Sequence, residues 1–289
     1  MKATYVLSAV LGLVSSTSAH YTFDKVILNG VQQGGDNTYV RKHQNSYMPT
    51  KFKNIPSGSI APTDADFTCN KGATAAAKVL TVKAGDKVAL KQAFGGTGML
   101  HPGPSQFYMT PVSNAASDKG TGNWYKVHQS LLCTAGSAES LRSNAWCSYG
   151  EDNVSFTVPA TIPNGQYLVR GEHIGLHGAH DGQAEFYYAC AQVQVTGNSA
   201  TSMPGTGVKI PGVYKQADAP VNFSVWGKST SYNTAPGPDV IPGGTIRGSA
   251  SGSSGDKTTT VAGGSSGSSA QAAASSKAAV PAAAATPNC

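Results

Sequence analysis

The chain has 289 residues, only 12% of them charged, and it contains 34 glycines and 16 prolines. This composition indicates short strands and turns rather than long helices. The formal net charge is +6, but no cluster of lysine and arginine is interleaved with aromatic residues, so a nucleic-acid partner is not expected.

The first 19 residues have the pattern of a secretory signal peptide. Met1-Lys2 is positive, residues 5–14 are apolar, and small residues lead up to Ala19. The apolar run is shorter than the about 20 residues that cross a bilayer, and no later segment approaches that length. We therefore expect a secreted, extracellular, monomeric protein without a membrane partner, whose mature chain begins at His20.

Residues 20–244 are long enough for one domain with a single core. Strand signals bounded by turn residues occur at 78–91, 153–158, 166–170 and 184–196. Because sustained helical periodicity is absent, we predict an all-β fold, an antiparallel β-sandwich of the immunoglobulin-like or fibronectin-like kind with long loops. The loops at 95–103 and 172–182 are rich in Gly and His, and chemistry is expected there.

From residue 245 to residue 289 the chain consists almost entirely of Ser, Gly, Ala and Thr. Such a segment cannot bury enough apolar surface to offset its ordering entropy. It is predicted to be a disordered tail, which sets the expected domain boundary at residue 244.

Five cysteines in a secreted chain suggest two disulfides and one cysteine left over. Cys69, Cys133, Cys147 and Cys190 lie in the predicted domain and allow three pairings. We expect the nested arrangement, with Cys133–Cys147 inside Cys69–Cys190. Cys289 lies in the tail.

Two Asn-x-Ser sequons are candidate N-glycosylation sites. They begin at Asn153 and Asn222. The first lies within a predicted strand.

Signal cleavage would give His20 two nitrogen donors, its α-amine and a ring nitrogen, which together form a chelate. The amine has an ordinary pKa of about 7.7 to 8.0 and must lose its proton to bind a metal. One further imidazole completes a plane of three nitrogens, and this tetragonal arrangement favours Cu(II). One copper ion per chain is therefore the expected cofactor.

A zinc-protease interpretation is suggested by His173 and His177, which are four residues apart. The HExxH order is absent, however, and Gly171, Gly175 and Gly178 disfavour the helix that this motif requires. The sequence therefore gives little support to a zinc protease.

Several segments occur together in a defined order. They are HYTFDKVILNG from His20, HPGP at 101–104 followed by Tyr108, WYKV at 124–127, TIPNGQYLVRGEHIGLH at 161–177, FYYACAQ at 186–192, PGVY at 211–214 and PGP at 236–238. Over residues 20–240 the chain thereby resembles the fungal lytic polysaccharide monooxygenases of auxiliary activity family 9.

The resemblance implies a histidine brace around copper. His20 would supply its amine and a ring nitrogen, His101 the third nitrogen, and Tyr187 an axial oxygen. Tyr187 is chosen over Tyr188 because the family tyrosine stands three residues before the cysteine, here Cys190.

The resemblance also implies catalytic roles for His177 and for the position two residues before the axial tyrosine. The family has a glutamine there, whereas this chain has Glu185. Residues two apart in a strand share a face, so Glu185 and Tyr187 should both point toward the metal. A glutamine donates a hydrogen bond at any pH, whereas a carboxylic acid donates one only when protonated.

For function, the resemblance implies oxidative cleavage of cellulose or a related β-glucan on a flat, copper-centred surface. The enzyme would use an external electron donor and O2 or hydrogen peroxide. Tyr232, ahead of PGP, and Tyr21, beside the brace, are the candidates for stacking on sugar rings.

Two alternatives remain at this stage. A non-catalytic copper-binding protein on the same fold is favoured by Glu185. A hydrolase could pair Glu172 or Asp181 with Glu185, although it would leave the chelating N-terminus without a role.

Overall fold

The computed structural model describes residues 20–93 and 98–263. Between them these ranges contain β-strands and three short 3-10 helices, at Ala65–Thr68, Ser140–Arg142 and Ala179–Asp181. Within them, no helix is long and apolar enough to span a bilayer. The predicted signal peptide and residues 264–289 lie outside the described residues.

Four strands form the first sheet, and all its neighbouring strands are antiparallel. Their spatial order is β2 (Val31–Gln33), β1 (Phe23–Leu28), β4 (Lys87–Gln92) and β7 (Asn153–Thr157). In β7, Val154 and Phe156 are buried and alternate with half-buried polar residues. Because side chains alternate along a strand, this sheet presents one apolar face to the core.

Seven strands form the second sheet. Their order is β11 (Thr258–Thr260), β10 (Thr245–Arg247), β6 (Tyr125–Ser130), β5 (Ser105–Val112), β8 (Gly165–Gly175), β9 (Glu185–Thr196) and β3 (Leu80–Lys83). The pairs β10–β6 and β3–β9 are parallel, and the other neighbours are antiparallel. The all-β sandwich is confirmed, with a second sheet that is mixed rather than purely antiparallel.

The second sheet is buried on both faces, which creates two cores. Tyr187 and Ala189 of β9 pack toward the first sheet, together with Phe107. Tyr188 and Cys190 point the other way, into a core covered by long loops. Consecutive residues of β9 thus face different cores, and this alternation separates Tyr187 from Tyr188.

The core on the loop side contains a buried ion pair between Arg170 and Glu172 of β8. The Arg170 guanidinium also lies 3.6 Å from the centroid of the Tyr188 ring. The other Glu172 oxygen accepts hydrogen bonds from Gln106 at 2.7 Å and from the Tyr214 hydroxyl at 2.9 Å. Both carboxylate oxygens are engaged inside the core, so Glu172 is not placed to act as the acid or base of a hydrolase.

Two disulfides connect the described residues in the nested arrangement that we expected. Cys69 pairs with Cys190, and Cys133 pairs with Cys147. The first tethers the loop before β3 to the centre of β9, and the second closes a short loop beyond β6.

The prediction of a disordered tail from residue 245 is wrong for residues 245–263. Thr245–Arg247 runs parallel to β6, and Thr258–Thr260 pairs with it on the other side. Arg247 donates hydrogen bonds to both carboxylate oxygens of Glu151 and of Asp256. Backbone hydrogen bonds, the ion pairs of Arg247 and the packing of Ile246 against the loop-side core therefore order this Ser- and Gly-rich segment.

We predict that His128, in β6, makes the fold sensitive to acid. Burial, and then the nearby Arg247 and Lys87, lower its pKa to about 3, whereas an unfolded histidine titrates near 6.5. Below a pH of about 6.5, His128 takes up a proton in the unfolded chain but not in the folded chain. His128 alone therefore lowers the free energy of unfolding by up to about 1.4 kcal/mol per pH unit, down to about pH 3.

The His128→Gln variant should lose this contribution, and its free energy of unfolding should fall less steeply with acid. Urea unfolding between pH 7 and pH 4 measures the slope. The exposed His180, changed to Gln, is the matched control. Equal slopes for the parent and His128→Gln would contradict the prediction.

Candidate metal centre

The predicted ligands lie at one end of the sandwich. His20 comes just before β1, and His101 lies in the loop that leads into β5. In the pairing of β8 with β9, His173 lies opposite Tyr187 and Gly175 lies opposite Glu185. The start of β9 is thereby placed beside the end of β8, where the predicted Gly- and His-rich loop begins.

His20, His101 and Tyr187 converge on one point. The centroid of the His20 ring lies 6.0 Å from that of His101 and 6.2 Å from that of Tyr187. The Tyr187 hydroxyl oxygen lies 3.3 Å from Nε2 of His101. The structure thus brings the three proposed ligands together although they are far apart in sequence.

His177 and Glu185 border the same point. The His177 ring stacks on the His101 ring with 4.5 Å between centroids, and its Nε2 lies 3.7 Å from Oε1 of Glu185. Oε2 of Glu185 lies 3.8 Å from Nε2 of His101. One donor atom from each of His101, His177 and Glu185 lies within 4.8 Å of the others.

Tyr187 directs its hydroxyl toward Glu185. The phenol O–H donates to Oε2 of Glu185 at 2.6 Å. Burial, and next the charge of the Glu185 carboxylate, raise the pKa of Tyr187 well above its ordinary value. Tyr187 therefore offers a neutral phenol oxygen rather than a phenolate.

The donors at this end of the sandwich fit a copper ion. Imidazole nitrogens are good ligands for copper, and the hydroxyl oxygen of Tyr187 would be a weaker donor beside them. The group formed by His101, His177 and Glu185 is partly open to solvent on its histidine side, because the His177 side chain is 35% exposed. A metal bound here would be reachable from outside the protein.

Tyr21 is not part of an exposed binding surface, so its predicted role in sugar stacking is wrong. It is 6% exposed, and its hydroxyl forms a short hydrogen bond with Nδ1 of His173. Its ring stacks on the Tyr187 ring with 4.2 Å between centroids. Tyr21 lies two residues before β1, and its buried ring packs against Tyr187.

The predicted sugar-stacking role of Tyr232 is also wrong. Tyr232 is 2% exposed and packs edge-on against Trp146 and Phe223, at 4.9 and 5.0 Å between centroids. Its hydroxyl donates to the carbonyl of Pro220 at 2.8 Å. The loop that carries it folds over the second sheet, which buries the ring.

Two other aromatic residues are exposed around the centre. Tyr47 is 40% exposed, and its ring lies 6.5 Å from the His20 ring. Trp226 is 52% exposed, and its indole N–H donates to the carbonyl of His177 at 2.6 Å. The Arg142 guanidinium lies 5.4 Å from the Trp226 ring. In the sequence, Trp226 follows Phe223 and Val225, and this local pattern does not mark it as an exposed residue beside the centre.

The zinc-protease arrangement of His173 and His177 is absent. His173 is fully buried within β8, and burial lowers its pKa to about 3. His177 lies past the end of that strand, so the two do not share a helical face. Asp181, the other hydrolase candidate, is bound to Lys53 at 2.7 Å on the surface.

The candidate glycosylation sites differ in accessibility. Asn222 is exposed, whereas Asn153 is partly buried in β7. The Asn153 amide donates to Asp152 at 2.8 Å. Both remain predictions.

The fold and this centre define a β-sandwich metalloprotein with its histidines gathered at one end. The chain belongs to Auxiliary Activity family 9 (formerly GH61), whose family model matches residues 20–233. It is therefore a copper-dependent polysaccharide monooxygenase, and the resemblance stated from the sequence is confirmed.

Named relatives and solved structures agree with this assignment. The chain is 46% identical to an AA9 family lytic polysaccharide monooxygenase A of Aspergillus fumigatus, over 85% of this chain and 84% of the relative. It is 44% identical to monooxygenase D of Emericella nidulans, over 86% and 85%. A crystal structure of a cellulose-active polysaccharide monooxygenase from M. thermophila has a TM-score of 0.62 and 25% identity, over 78% of this chain and all of that one.

Proposed function

We propose that the chain is a secreted enzyme that cleaves β-1,4-glucan, with cellulose as the main substrate, by oxidation at one copper ion. His20 would hold that ion through its α-amine and a ring nitrogen, His101 would hold it through a ring nitrogen, and the Tyr187 hydroxyl oxygen would be a weaker additional ligand. An external donor supplies electrons, and O2 or hydrogen peroxide supplies oxygen.

The observation that carries this proposal is the convergence of His20, His101 and Tyr187 in a chain of this family. Their rings lie within 6.2 Å of one another. When bound, copper supplies the activation of the oxygen co-substrate that hydroxylation of a glycosidic carbon requires. The hydroxylated linkage is unstable, and the chain breaks there.

The side chains around the proposed copper ion have different hydrogen-bonding roles. The Tyr187 hydroxyl donates its hydrogen bond to Glu185, so it has no second hydrogen to donate to another acceptor. His177 is partly exposed beside the His101 ring. Its imidazole is therefore placed to donate a hydrogen bond at the outer, substrate-facing side of the centre. Glu185 accepts the hydrogen bond of Tyr187, and its other oxygen faces His177.

The exposed aromatic rings on either side of the centre are the proposed sugar-binding residues. Tyr47 lies on the His20 side, and Trp226 lies on the His177 side. The hydrogen bond to the His177 carbonyl fixes the indole, so little side-chain entropy is lost when a sugar ring stacks on it.

We expect Trp226→Ala to weaken binding to cellulose about tenfold, because an apolar contact worth about 1.5 kcal/mol is lost. Depletion of the metal-free protein by microcrystalline cellulose measures this without any turnover. Val31→Ala is the matched control, since Val31 is 64% exposed but belongs to β2, which pairs with the far end of β1. If cellulose depleted the Trp226→Ala variant from solution as fully as the parent, the indole would not be part of the binding surface.

Mass spectrometry of the soluble products from phosphoric-acid-swollen cellulose tests the proposed function. We expect oligosaccharides with oxidised ends, formed only when copper and a reductant are both present. Products without oxidised ends would indicate a hydrolase. Copper binding without any products would favour the non-catalytic copper protein that Glu185 raised as an alternative.

A further inference from the structure

A mostly buried lysine lies beside the proposed copper centre. Lys51 follows Thr50, whose backbone forms two hydrogen bonds with Phe186 in β9. This bridge places the Lys51 side chain, which is 12% exposed, with its ammonium 3.7 Å from Oε1 of Glu185. The same ammonium donates to the side-chain oxygen of Gln183 at 3.0 Å.

A cation in this position is unfavourable for a site that must bind another cation. Its presence is explained by Glu185, whose side chain is only 8% exposed. A buried carboxylate is costly unless a positive charge compensates it. As an ion pair, Lys51 and Glu185 together carry no net charge, so the pair adds no net charge to the metal site.

The Glu185 carboxylate has two ways to satisfy its charge. In the structure, Oε2 accepts the Tyr187 hydroxyl and Oε1 lies between Lys51 and Nε2 of His177. Alternatively, the carboxylate could bind a metal directly, because its oxygen lies within 4.8 Å of donor nitrogens of both His101 and His177. A carboxylate ligand would occupy a coordination position that the oxygen co-substrate needs.

We propose that Lys51 is a positioning residue that holds Glu185 away from the copper ion and so keeps a coordination position open. Lys51 satisfies the carboxylate from the protein side, and Tyr187 fixes its second oxygen. This inference rests on the proposed copper site at His20 and His101.

The test uses Lys51→Met in the mature, copper-loaded protein at one fixed pH. Without the ammonium, the Glu185 carboxylate should coordinate the copper ion. The electron paramagnetic resonance spectrum of Cu(II) should then shift toward that of a site with an added charged oxygen ligand. Cu(II) affinity, measured by calorimetry, should rise about tenfold, within the range by which neighbouring groups alter metal sites.

Three further variants separate positioning from structural damage. Lys51→Arg keeps the charge and should keep the parent spectrum. The double variant Lys51→Met with Glu185→Gln removes both charges and should return the spectrum to the parent form. Lys53→Met removes a lysine two residues along, which is 50% exposed, and should change nothing.

The outcomes distinguish this inference from the proposed function. A parent spectrum without three nitrogen ligands would overturn the proposed copper site itself. A normal parent spectrum that Lys51→Met leaves unchanged would overturn the role of Lys51 alone. A shifted spectrum that the double variant does not restore would also overturn it, because the cause would not be the carboxylate. Thermal unfolding of each metal-free variant verifies the fold.

Discussion

A chain that keeps Ala19 ahead of His20 is expected to bind Cu(II) about 100-fold more weakly than a chain that begins at His20, because one of its three nitrogen ligands is lost. The peptide bond to Ala19 converts the α-amine into an amide, which cannot join the ring nitrogen in a chelate under ordinary conditions. The side chains of His101 and Tyr187 are unchanged in both forms.

Isothermal titration calorimetry of the two forms measures this difference. Expression with a cleavable leader gives both from the same preparation, which makes the uncleaved protein the natural partner for comparison. Release of a proton from the amine should accompany binding only in the processed form. If the two forms bound copper equally well, the amine would not be a ligand and the brace would be wrong.

The second large effect is expected at His101. His101→Ala should abolish the plane of three nitrogens, whereas Tyr187→Phe should leave it intact, because an axial oxygen contributes little to a tetragonal Cu(II) site. Electron paramagnetic resonance reports the equatorial ligands directly. The Tyr187→Phe variant also serves as the control, since it changes a neighbour of His101 while retaining the aromatic ring.

A Cu(II) spectrum that His101→Ala does not alter would show that another residue supplies the third nitrogen. His177 would be the first to test, since its ring stacks on that of His101. Loss of the nitrogen pattern in Tyr187→Phe would instead mean that the phenol is more than an axial neighbour.

The sequence predicted only those strands that have strong local signals. β4, β7, β8 and β9 occur where turn residues bound alternating or continuous apolar runs. The strand signal at 78–91 covers two strands, β3 and β4, and these belong to different sheets. Which strands pair depends on long-range packing, which local patterns do not record.

The proposed ligands could be selected from the sequence because they lie in motifs, whereas the exposed aromatic residues around the centre could not be predicted. Tyr232 and Tyr21 were expected to be exposed, but loops and the second sheet bury them. Burial of an aromatic residue is decided by what folds over it. Lys51 and Trp226 were missed for the same reason, since each reaches the centre only through contacts made by the folded chain.

The strands β10 and β11 bear on where this chain can be shortened or joined to another protein. Ending the chain at residue 244 would remove β10 and leave β6 as an exposed edge strand. The Leu131 amide would also lose the Arg247 carbonyl to which it donates a hydrogen bond. Unpaired backbone N–H and C=O groups along an edge strand can pair with another chain, so we expect the shortened protein to aggregate more readily. A shortened or fused form should therefore retain the chain to residue 263, with any added partner joined beyond that point.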